Sequence, residues 1–128
     1  MRKSLLLPLI AGLAVPGATA DRRDRVPAAT PVGEARNCVP INQLRESRVR
    51  SDRVIDFYTT GRQVYRVTLP NACPNLGFEQ RFSYETSLSQ LCAQDIITVL
   101  YQGGPGLQRG ASCGLAPFQP VRLERERR

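Results

Sequence analysis

The sequence predicts an all-β domain: a small antiparallel barrel or rolled sheet of five to six short strands, stapled by disulfides. Three observations predict it. Short runs of β-branched and aromatic residues recur between clusters of Gly, Pro and Asn. No stretch sustains the apolar period of a long helix. Four cysteines, Cys38, Cys73, Cys92 and Cys113, occur without a single histidine, behind an export signal.

The signal occupies residues 1–20. Arg2 and Lys3 supply a positive start, Leu5 to Val15 an apolar stretch, and Ala18-Thr19-Ala20 a cleavage site before Asp21. The apolar stretch is shorter than the ~20 residues a membrane helix needs. No later run is longer, so no membrane span is expected in the mature chain. The expected location is the periplasm or the medium. Cleavage removes Arg2 and Lys3, leaving 16 of the 18 basic side chains against 11 acidic ones, a net charge of +5. Every mature basic residue is arginine, which fits either anion recognition or the codon bias of a GC-rich genome.

Residues 21–36 mix charge with Pro27, Pro31 and Gly33 and read as a disordered leader. Residues 37–121 form the single β domain, and residues 122–128 a charged tail. Within the domain, Ile41 to Val49 gives a weak strand or turn pattern. Val54 to Thr59 and Gln63 to Leu69 flank Gly61 and predict a β-hairpin. In its second arm Tyr65, Val67 and Leu69 share one apolar face. Pro70 to Gly77 is turn chemistry. Phe78, Phe82 and Tyr84 suggest another alternating segment, and Ser87 to Cys92 a helical turn or short strand. Asp95 to Tyr101 is the strongest buried strand. Gln102 to Gly110, with four glycines and Pro105, reads as an exposed, mobile loop. Ser112 to Phe118 reads as a last short strand.

An even cysteine count in a small exported chain implies two disulfides. The spacings lack the paired C-x-x-C or His partners of a zinc site. Of three pairings, Cys38–Cys113 with Cys73–Cys92 is favoured, because first and last strands of compact β domains often lie side by side.

Catalytic signatures are sparse. Gly103-Gly104-Pro105-Gly106 lacks both the Gly-Lys-Ser/Thr of a phosphate loop and the following helix, so a hairpin connection is the better reading. Without histidine there is no Ser-His-Asp or Cys-His arrangement. A carboxylate pair drawn from Asp52, Asp56, Glu79, Glu85 and Asp95 is the remaining catalytic option, that of a small hydrolase. Each of the five also fits a turn, cap or solvent-facing position. No catalytic residue, cofactor or metal is expected.

Arg45, Arg48, Arg50 and Arg53 form the densest basic cluster and are the candidate anion-binding residues. Arg62, Arg66 and Arg81 can lie near them, with Tyr58, Tyr65 and Tyr84 as stacking surfaces. These are ingredients of a single-strand nucleic-acid platform. Export points away from nucleic acid, toward an envelope polyanion, an acidic glycan or an acidic protein patch. A solvated arginine face balanced by Glu46, Asp52 and Glu85 is the alternative.

The chain also carries an ordered set of short motifs. These are Cys38-Val-Pro-Ile41, Ser47-Arg-Val49, Arg53-Val-Ile55, and Gly61-Arg62 with Tyr65. They continue with Leu69-Pro70, Cys73-Pro-Asn-Leu76, Phe82-Ser-Tyr84, Leu91-Cys92, Asp95-Ile-Ile-Thr-Val99 and Cys113-Gly-Leu115. This order resembles a family of small exported bacterial proteins whose domain has no assigned function, over roughly residues 37–121. The resemblance implies a secreted, β-rich, disulfide-bearing domain and brings no activity, ligand or site residue. The sequence therefore leads to a non-enzymatic exported domain that binds a partner or supports the envelope. An anion binder, a small hydrolase, or an inhibitor presenting Gln102 to Gly110 are the rivals.

Overall fold

Alternating apolar and polar runs become ten antiparallel strands in the computed structural model, which describes residues 26–86 and 88–124. The signal segment with its Ala20–Asp21 cleavage site, the leader to residue 25, Ser87 and the tail from residue 125 lie outside the described residues.

The hairpin expected around Gly61 is present as β4 (Val54–Thr59) and β5 (Val64–Thr68). It forms the middle of a five-stranded sheet. β3 (Leu44–Val49) pairs with β4 on one side. β10 (Gln119–Leu123) and then β1 (Ala29–Pro31) extend the sheet on the other. The period of two sorts this sheet into faces. Ile55 pairs with Val67 and Phe57 with Tyr65, and all four are buried. The intervening row, Arg48–Asp56–Arg66, lies on the opposite face.

The inner face packs against a three-stranded sheet of β6 (Phe82–Tyr84), β8 (Ile96–Gln102) and β9 (Leu107–Gly114). A two-stranded ribbon joins β2 (Cys38–Pro40) to β7 (Gln90–Cys92). Val39, Leu91, Ile97, Val99, Leu76 and Phe118 complete the core. Phe57 centres it, with its ring 5.5 Å from Phe118 and 6.2 Å edge-on from Phe82. All sheets are open, and no closed barrel is found among the described residues.

Several expectations need correction. The leader is ordered in part: β1 pairs with β10, Ala29 opposite Leu123, and Arg36 exchanges backbone hydrogen bonds with Phe118. The domain thus begins before residue 37, and the last strand runs past residue 121. Ten strands replace five or six, because three-residue strands carry too little pattern to be read. Phe78 belongs to a helical turn, α1 (Leu76–Glu79), bounded by Asn75 and Gln80 in left-handed conformation.

The disulfides are Cys38–Cys92 and Cys73–Cys113, not Cys38–Cys113 and Cys73–Cys92. First and last strands do lie side by side, but neither holds a cysteine. Cys38 and Cys92 instead face each other in the β2–β7 register, with Cα atoms 4.0 Å apart. Cys113 points inward from β9 beneath the loop that carries the buried Cys73.

Candidate functional site

The candidate arginines come first. Asp56 stands mid-strand on the outer face of the five-stranded sheet and is fully buried, because arginine side chains cover it. Arg66, its cross-strand neighbour, donates two parallel bonds, Nε to Oδ1 at 2.8 Å and Nη2 to Oδ2 at 3.0 Å. Arg50 donates Nε to Oδ2 at 2.9 Å and Nη2 to the Tyr58 hydroxyl at 2.9 Å. Such bidentate, charge-assisted bonds hold a buried carboxylate in place.

Arg48 spreads over the Tyr58 ring, 4.8 Å from its centroid, and pairs with Glu46 at 2.7 Å. Arg53 donates to the carbonyls of Leu69 (3.0 Å) and Pro70 (3.2 Å), clamping the start of the 70–74 loop. Arg45 sits in the β-bulge between Leu44 and Glu46 and is exposed. Arg48 and Arg50 thus meet at Tyr58 on the outer face, while Arg53 turns to the 70–74 loop and Arg45 stands on the edge strand. Three of them make internal contacts.

The aromatic expectations divide in the same way. Tyr65 is a core residue whose hydroxyl accepts a bond from Arg36 (3.1 Å), and Tyr84 packs against the core. Of these three tyrosines, Tyr58 alone has an arginine over its ring among the described residues.

The carboxylates hold separate structural positions. Asp52 accepts the Gly77 amide at 2.7 Å. A Cβ at Gly77 would stand 2.9 Å from that carboxylate, so only glycine lets α1 sit this close. Asp95 accepts the Cys92 amide at 2.7 Å, Glu79 pairs with Arg81 at 3.3 Å, and Glu85 is exposed. Among the described residues no group of three or more His, Cys, Asp or Glu is placed to hold a metal.

A different region carries the most accessible structure. The β8–β9 ladder continues beyond the core through Leu100–Arg109, Tyr101–Gln108 and Gln102–Leu107, and every residue from Tyr101 to Gly110 is exposed. The segment read as a loop is thus mostly a projecting hairpin, with only residues 103–106 as its tip. Gly104 and Gly106 adopt positive φ there, +88° and +143°, which suits glycine alone. Tyr101 lays its ring beside Gly110 and Gly103; a Cβ at Gly110 would be 3.3 Å from the ring. Glycines that suggested mobility therefore seat a cross-strand aromatic. Gln108 ties to the Gly103 carbonyl at 3.2 Å, and Leu107 stays half exposed.

β9 is the outer strand of its sheet and pairs only with β8 among the described residues. Beside its end, Ser112 to Gly114 and the loop residues Pro70, Ala72 and Pro74 line a shallow groove of about 340 Å³. The Cys73–Cys113 bridge joins the two sides of that groove. The sequence signal for this region was the pair of apolar residues flanking the glycines, Tyr101 and Leu107.

No protein-family model, curated protein or solved structure matches the chain.

Proposed function

We propose that the chain is an exported domain, periplasmic or secreted, that acts by binding a partner through its β8–β9 hairpin rather than by catalysis. The observation that carries this reading is a ladder exposed from Tyr101 to Gly110 beside a strand edge that pairs with no further strand among the described residues. Binding elements are commonly mounted in this way, as projecting segments on a rigid scaffold. The scaffold is cross-linked at the base of the hairpin through Cys113. Two disulfides also suit an oxidising compartment, and no helix among the described residues is long and apolar enough to cross a membrane. The arginines at 48, 50 and 53 already bond within the protein, which favours the hairpin over the basic cluster.

Site-specific photo-cross-linking in cells tests this reading. A photoreactive residue at position 107 or 108 is expected to give a discrete adduct, and one at position 45 or 62 none. Adducts from position 45 alone would return the function to the arginine cluster. No adduct from any position would contradict a binding role.

A further inference from the structure

A strand edge left open invites another strand, and proteins usually guard against this with charge, proline, bulges or short length. The other edges here are guarded. β3 sets Arg45, Glu46 and Arg48 along its length and carries a bulge. β1, β2, β6 and β7 have three residues each, with Pro31 on β1 and Pro40 on β2. β9 differs in length and composition: it runs eight residues without proline, Arg109 is its one charge, and its irregularity is confined to the step between Arg109 and Ser112. Gly110, Ala111, Ser112 and Gly114 leave its backbone uncovered by bulky side chains.

Charge narrows the occupant. From Ile96 to Leu123 the chain holds no Asp or Glu, only Arg109 and Arg122, within a protein of net charge +7. Arg109 makes no ion pair among the described residues. A second copy would bring like charge to this edge, whereas an acidic segment would meet opposite charge. The groove lined by Pro70, Ala72 and Pro74 also includes Ser112 and Gly114 of β9, so an added strand would meet it at that end of the edge.

We infer that β9 takes up an extended acidic segment of a partner protein as an added strand, paired through its backbone and held by Arg109. This rests on the reading of the hairpin as the binding element and specifies its ligand.

The test titrates isotope-labelled, disulfide-intact protein with a capped eight-residue peptide alternating valine and glutamate. Two controls accompany it: the lysine counterpart, and the glutamate peptide N-methylated on its bonding edge. The expected result is saturable shifts of the amides from Leu107 to Gly114 with the glutamate peptide alone, weakening as salt rises. Arg109→Glu is expected to weaken the glutamate peptide about tenfold and favour the lysine one, with Tm unchanged. Equal binding of the lysine or N-methylated peptide would overturn the proposal, as would shifts centred on residues 45–53 or a β9-paired dimer before any peptide is added. Cross-links from position 107 combined with no response to the glutamate peptide would overturn strand addition and leave the binding reading standing.

Discussion

Asp56→Ala is expected to cost about 3–5 kcal/mol, enough to leave the domain largely unfolded. The carboxylate is fully buried and is the shared acceptor for Arg50 and Arg66, whose side chains are only 12% and 15% exposed. Removing it places two guanidinium groups in a poorly solvated site without their counter-charge. The same physics predicts a contrast. Asp56→Leu combined with Arg66→Met removes charge from both sides and fills the space, so it is expected to be less damaging than Asp56→Ala alone. Urea unfolding of the three proteins at neutral pH measures this. A loss under about 1 kcal/mol for Asp56→Ala would mean that the site behaves like an exposed pair. The Arg48–Glu46 pair, half exposed on both sides, supplies that comparison within the same sheet.

Breaking either disulfide is expected to have an effect of similar size. The bridges span 54 and 40 positions, and loops of that length restrict the unfolded chain by about 4 kcal/mol each. A domain this small holds roughly 5–15 kcal/mol in total. Replacing Cys38 and Cys92 together by alanine should therefore shift the unfolding midpoint strongly. Replacing Cys73 and Cys113 should do at least as much, because Cys73 is buried in the core and its loss also opens a cavity. Full reduction should unfold the chain. A non-reducing peptide map should return Cys38–Cys92 and Cys73–Cys113. A Cys38–Cys113 peptide would contradict the β2–β7 register.

The legible parts of the fold were those whose pattern is local. Val54 to Thr59, the turn at Gly61 and the inward face of Tyr65, Val67 and Leu69 follow from alternation and turn chemistry alone. β1, β2, β6 and β7 each have three residues, too few for a period of two to show, and depend on partners far along the chain. The cysteine pairing failed for the same reason: it is set by the register of Val39 against Leu91, which no spacing contains.

The arginine cluster was visible as composition, but its employment was not. Asp56 looked like a solvent-facing strand residue, and only the cross-strand position of Arg66 and the return of Arg50 over the sheet reveal the buried ion pair. The hairpin was obscured by its glycines. Four of them between Gln102 and Ala111 outweigh Tyr101 and Leu107 in any local reading, although two of them seat the tyrosine ring.

Native-state amide hydrogen exchange along β9 tests the central claim, that this strand presents an open edge to a partner, most directly. In free protein, the β9 amides that face away from β8 should exchange at close to the rate of solvent-exposed backbone, alternating with slower, β8-bonded neighbours on each side of the register shift between Arg109 and Ser112. Binding of the acidic strand should slow the fast set alone. Uniform protection of β9 in the free protein, or a fast set unmoved by saturating peptide, would contradict it.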